Sequence, residues 1–199
     1  MGLKSMMLGY LPQAIKIHDK TYKIRTDYRD VLRILIAYYD DVLTDKEKIY
    51  VCLKQIYIDL DTIPAEYLEE AYKAAISFID CGMVREEKQK PRLINWEKDE
   101  PLIFPAINKV AGFEVRSVDY MHWWTFMGYF QGIDANDTWG FILTIRQKRS
   151  RGKKLEKHEQ AFFNANTAVC MVDKARNVRA KKDKALQDIY NSLLKGDEE

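Results

Sequence analysis

TDYRDVLRILIAYYDDVLTDKEKIYVCLKQIYIDL, residues 26–60, reads as two consecutive helices, and the fold class follows from it. Val31, Ile34, Leu35, Tyr38 and Val42 recur at three and four residues, the spacing of one helical face, with Thr26 as the expected N-cap. Thr44 and Glu47 then stand three apart, as a capping box requires, ahead of a second stripe at Ile49, Leu53, Ile56 and Leu60. Upstream the period falls to two: Ile15, Ile17, Tyr22 and Ile24 flank a polar His18-Asp19-Lys20 turn, which predicts a β-hairpin over residues 14–24. Downstream, Thr62 and Pro64 start a third helix carrying Leu68, Ala71, Tyr72, Ala75, Phe78 and Ile79, with Gly82 at its left-handed end.

Residues 84–100 interrupt the pattern with mixed charge, Pro91 and the apolar Leu93, Ile94 and Trp96, as an ordered connection would. Asp99 and Pro101 begin a helix with Ile103, Ile107 and Val110 that stops near Gly112. Ser117 and Asp119 are expected to open another, in which Tyr120, Trp123, Trp124, Met127 and Phe130 share one broad face. Asn136 and Asp137 cap a helix with Trp139, Ile142 and Ile145, and Leu155 leads on to Phe162, Phe163, Val169 and Val172. The expectation is a mainly α protein, a helical bundle of about six to eight helices with a small N-terminal β-hairpin. Residues 1–175 form its helical domain, with 26–82 and 99–172 as candidate sub-bundles. Residues 176–199 form a charged arm with an apolar stripe at Leu186, Ile189, Tyr190, Leu193 and Leu194.

Composition narrows the functional classes. With 47% apolar and 31% charged residues the chain can bury a core, and 32 basic against 30 acidic side chains give no global attraction to nucleic acid. Cys52, Cys81 and Cys170 are far apart with no CxxC, and His18, His122 and His158 lack metal-ligand spacing, so neither metal nor cofactor is expected. No export signal or membrane-length apolar run stands out, which points to a cytoplasmic protein. Asp40, Asp41 and Asp45 fall at a helix boundary where carboxylates serve as caps, and the sequence has no GxSxG, GxGxxG or Walker A pattern, so an enzyme is not expected.

Three groups remain as candidate partner-binding residues. Trp123, Trp124, Met127 and Phe130 combine aromatics with methionine, as adaptable binding surfaces do, although such a stripe is first of all a packing face. Arg146, Lys148, Arg149, Arg151, Lys153, Lys154 and Lys157 form a basic cluster without interleaved aromatics, suited to acidic partner surfaces more than to single-stranded nucleic acid. Leu186, Ile189, Tyr190 and Leu193 supply the arm's stripe, long enough to pair with a helix and too short to specify a coiled coil.

Three stretches resemble the Gp15 family of tailed phages of Gram-positive hosts: LPQAIKIHDKTYKIRTDYRDVLRI at 11–34, LIFPAINKVAGFEVRSVDYMHWWTFMGYFQGI at 102–133, and IRQKRSRGKKLEKHEQAFF at 145–163. The resemblance runs to about residue 175 and leaves the arm unmatched. It implies a siphophage tail assembly chaperone in the host cytoplasm that binds the tape measure protein, keeps it soluble and helps recruit tail tube subunits. A second chaperone product and the major tail tube protein are further implied partners, and association of the chain with itself is open. The alternatives are a minor structural tail protein retained in the virion and, third, a helical nucleic-acid binder. Any affinity for RNA or DNA is expected to be weak and to fade with added salt, because the cluster at 146–157 offers charge without base readout. Sequence-selective binding at physiological salt, measured by fluorescence anisotropy, would favour the nucleic-acid alternative.

Overall fold

His18 and Asp19 turn the chain between β1 (Ala14–Ile17) and β2 (Lys20–Lys23), which pair antiparallel with Ile15 opposite Tyr22. The computed structural model describes residues 9–83 and 91–172. His18 takes a positive φ, as a two-residue hairpin connection demands, and Ile15, Ile17, Tyr22 and Ile24 bury one face of the ribbon.

Eight α-helices follow among the described residues, so the mainly helical expectation with a small hairpin holds. The first three are α1 (Tyr28–Tyr38), α2 (Asp45–Ile56) and α3 (Leu68–Ile79), and the capping box of Thr44 and Glu47 forms as the sequence predicts. Helix α1 departs from expectation: Asp27 is the N-cap, accepting from the Arg29 amide at 2.9 Å, and Thr26 is not. The Thr26 hydroxyl lies 2.7 Å from the Tyr120 hydroxyl instead, a long-range bond that takes it from the local role. Val42, placed on the α1 stripe by periodicity, lies beyond the helix end and is exposed. At the end of α3, Cys81 and Gly82 both adopt positive φ, and the Gly82 amide donates to the Ser77 carbonyl at 2.8 Å.

The remaining helices are α4 (Glu100–Ala111), α5 (Trp123–Gln131), α6 (Thr138–Ser150), α7 (Lys157–Ala165) and α8 (Thr167–Cys170). Gly112 ends α4 in the left-handed region, and Asp137 caps α6 by accepting from the Trp139 amide. Helix α5 starts later than Ser117 and Asp119 suggested: Val115–Ser117 is a short 3-10 turn, and the chain then bends at Val118 and Asp119 and reaches His122 without helix. The end of that segment is held by backbone pairing with the start of α1, through Tyr28 N–H to the Met121 carbonyl at 3.0 Å and Trp123 N–H to the Thr26 carbonyl at 2.7 Å. A helix over the same residues would forfeit those bonds. Buried side chains from Ile15 to Cys170 form one continuous core, with residues of both candidate sub-bundles in contact. No helix among the described residues is long and apolar enough to cross a membrane.

His122 joins the start of α5 to the segment before β1. Its Nδ1 accepts from the Trp124 amide at 3.0 Å as the N-cap of α5, so the ring proton sits on Nε2, which donates to the Pro12 carbonyl at 3.0 Å. Burial lowers its pKa below the ordinary 6.5, against the Pro12 bond, which raises it. A second proton on Nδ1 would face the Trp124 N–H and place positive charge at the positive end of the α5 dipole. Because the folded pKa lies below the unfolded one, this stability is complete above pH 6.5 and is lost as pH falls from 6.5 toward the lowered value. We expect stability to drop by about 1 kcal/mol between pH 7.5 and 5.5 in chemical denaturation, and the drop to shrink in His122→Asn, which keeps a cap acceptor without titrating.

Candidate partner-binding groove

Tyr28, Leu32 and Ile36 stand four residues apart on α1, one above the other, and face Trp96 and Phe104 across an open groove of about 580 Å³. Helix α4 supplies Phe104, and the connection before it supplies Trp96. Phe126 of α5 underlies the floor: it stacks on Tyr28 at 4.4 Å and lies 5.9 Å from the Phe104 ring, while Phe130 meets Trp96 at 5.2 Å.

Charge forms the rim. Arg29 donates to the Val118 carbonyl at 2.6 Å, pairs with Asp27 at 3.1 Å and covers the Tyr28 ring at 4.6 Å. Arg116 lies 5.0 Å over Phe104, pairs with Glu114 at 2.8 Å and reaches Glu100 at 3.7 Å. Its hydrogen bond is the main reason the Glu114 carboxyl is pulled down to about 2. Arg33 and Glu97 complete the rim. Chemically, this arrangement can bury apolar surface on the floor and orient it by charge at the edges.

The candidate residues taken from the sequence separate. Trp123 is 1% exposed and belongs to the core, whereas Trp124, Met127 and Phe130 are half-buried and packed against it. The α5 aromatics therefore support the groove from beneath, with Phe126 at the centre. Arg146 corrects the basic cluster: it is 3% exposed and lies inside the protein. Its guanidinium donates to Asp99 at 2.6 and 2.8 Å, to the Leu93 carbonyl at 2.8 Å and to the Val169 carbonyl at 2.6 Å. Lys148 pairs with Glu159 at 2.6 Å, which lowers the Glu159 carboxyl below its ordinary value, and Arg149 covers the Phe163 ring at 4.1 Å. Arg151, Lys153, Lys154 and Lys157 are exposed around a turn in which Gly152 takes positive φ and Lys153 N–H bonds the Lys148 carbonyl. Leu186, Ile189, Tyr190 and Leu193 lie outside the described residues.

Sequence reasoning missed the groove, although one signal was present. Tyr28, Leu32 and Ile36 form a second apolar stripe on α1, beside the stripe of Val31, Ile34, Leu35 and Tyr38. A helix with apolar residues on two faces has more to cover than one core.

The match to a family model settles the chain's kinship. The model, described as Bacteriophage Gp15 protein, matches residues 7–170. The chain belongs to this bacteriophage Gp15 family. The matched span includes every groove residue and both partners of the Arg146–Asp99 pair, and it ends before residues 176–199. No curated protein and no solved structure matches the chain. Within the Gp15 span, Arg146 and Asp99 are each 2% exposed at the side chain, so removing one strands the other charge inside. Asp99→Ala is expected to cost about 3–5 kcal/mol in urea denaturation. The double change Asp99→Leu with Arg146→Met should cost less than that, since Arg146 Nε already lacks a partner and the pair is imperfectly satisfied.

Proposed function

We propose that this Gp15 family chain is a non-enzymatic tail assembly chaperone, acting in the cytoplasm of the host cell, that binds the tape measure protein. Membership of the family over residues 7–170 carries the reading, and the groove supplies a surface suited to the task. A long client with apolar helical stripes aggregates unless those stripes are covered before its structural partners arrive. Helix-in-groove docking covers them: apolar side chains entering between α1 and α4 gain about 25 cal/mol per Å² buried. Rim charges at Arg29, Arg33, Glu97, Glu100 and Arg116 would set the direction of the client helix and reject poorly matched ones. Release would follow as tail tube subunits, recruited with the help of a second chaperone, take over the client surface.

Coexpression with the tape measure protein of the same phage tests this. The full chain should keep that protein soluble and be depleted from purified virions. Leu32→Lys with Ile36→Lys, checked for retained folding by circular dichroism, should weaken client binding about tenfold or more. Lys153→Glu with Lys154→Glu, on the turn after α6 and outside the groove lining, should leave it unchanged. A wild-type chain that fails to bind or solubilise the client would end the chaperone reading.

A further inference from the structure

We infer that the groove between α1 and α4 reads both flanks of a bound amphipathic helix, taking a carboxylate at Arg33 on one wall and a cation at Glu97 on the other. The inference rests on the tape measure reading for the identity of the client, and on the groove's lining for what that client must carry.

The walls select a helix. Tyr28, Leu32 and Ile36 make a ridge of residues four apart on α1, and Glu100 and Phe104 make another on α4. Ridges of this spacing leave furrows that accept the matching ridge of a third helix. Both α1 and α4 keep their main-chain groups within the helices, so an extended peptide finds no ladder of donors and acceptors here. A helix arrives with its own main chain already satisfied. From Tyr28 to Ile36 the ridge rises about 12 Å, which a client covers with about two turns.

The rim charges are not equivalent. Arg29 is held by Asp27 at 3.1 Å and by the Val118 carbonyl at 2.6 Å. Arg116 spends Nε and Nη2 on Glu114, at 2.8 and 2.9 Å. Arg33 uses only Nη1, on Asp30 at 2.7 Å, and its side chain is 65% exposed. Glu97 is exposed next to the buried Trp96, and among the described residues its carboxylate has neither a hydrogen bond nor an ion pair. Glu100, on the same wall, is met only by Arg116 at 3.7 Å. One open cation therefore borders the floor beside Leu32, and one open anion borders it beside Trp96.

A helix lying along the floor turns one flank to each wall. A lysine on the flank toward Trp96 can lay its stem on apolar surface and bring its ammonium to Glu97, while a glutamate on the other flank meets the spare donors of Arg33. Turning the helix end for end, with its apolar face still down, exchanges the flanks and sets like charges together. A client with one acidic and one basic flank is thus held in a single direction.

The test uses the full chain and three synthetic peptides of about five helical turns. They share one leucine face and differ in their flanks: one acidic and one basic, both acidic, or both basic. In fluorescence anisotropy at low salt, wild type should bind the mixed peptide about threefold or more tightly than either of the others. Glu97→Lys should come to prefer the peptide with two acidic flanks, and Arg33→Glu the one with two basic flanks, an exchange of preference that loss of folding does not produce. Glu66→Lys, exposed and outside the groove lining, makes the same change in net charge and should keep the wild-type order. Leu32→Lys with Ile36→Lys should abolish binding of all three. A benzophenone at the N-terminus of the mixed peptide should crosslink to one end of α1 only. The inference is overturned by a wild type that binds no peptide or ranks them alike, by one order in all the variants, or by an order that Glu66→Lys shifts as Glu97→Lys does. Binding that survives Leu32→Lys with Ile36→Lys, or crosslinks at both ends of α1, also overturns it. If the peptides follow the expected order and the tape measure protein is not bound, the reading of the flanks stands and the chaperone reading fails. If that protein is bound and the peptides rank alike, the reverse holds.

Discussion

Two indole N–H groups organise this molecule. Trp123 donates to the Ile79 carbonyl at 2.8 Å and Trp124 donates to the Phe78 carbonyl at 2.9 Å, both at the C-terminus of α3. The last carbonyls of a helix have no partner within it, and in a buried setting each unmet one costs the desolvation of a strong acceptor. Trp123, at the first turn of α5, meets that need at Ile79, and Trp124 adds a second donor at Phe78, whose carbonyl also accepts from the Cys81 amide at 3.0 Å. Once α5 is fixed against α3, Phe126 is carried under Tyr28, and the groove acquires its support. The same placement brings His122 to the hairpin and Met121 to the start of α1.

Charge is used in two ways. At the surface, Glu69 with Lys73 and Lys109 with Asp137 are exposed or partly exposed pairs of the kind that add little stability. Inside, the Arg146–Asp99 pair ties α6 to the segment before α4 and, through Val169, to α8. Removing two charges from water is costly, so this pair is better understood as fixing which segments meet than as a source of net stability. Cys52 is treated as a hydrophobe: burial pushes its thiol up to about 11, and it remains protonated at neutral pH.

The parts of the fold legible in sequence are those set by local chemistry. Thr44 with Glu47, Asp137 before Trp139, and Gly112 after Ala111 each act on neighbours within a few residues, so their pattern identifies them. Thr26 and Ser117 were misread because the decisive contact was distant: Thr26 bonds Tyr120, and residues 118–122 lie against the start of α1. Arg146 stands among six other basic residues from 146 to 157, and only its alignment below Ile142, on the buried face of α6, distinguishes it. The groove was beyond local reasoning because α1, Trp96 and Phe104 come from three separated segments. Half of it was still visible in the doubled apolar pattern of α1.

The His122–Pro12 hydrogen bond spans 110 residues of sequence. It has a consequence for synthesis, when the chain emerges from its N-terminus. The hairpin and α1 are made first, yet their backbone partners at Met121, His122 and Trp123 are translated about 100 residues later. At ordinary elongation rates of about 5–20 residues per second, that leaves roughly 5–20 s in which the Tyr28 amide and the Thr26 and Pro12 carbonyls wait for these partners. Contacts of such high sequence separation close late and slowly. Until those partners arrive, the start of α1 and the segment before the hairpin lack their native hydrogen bonds.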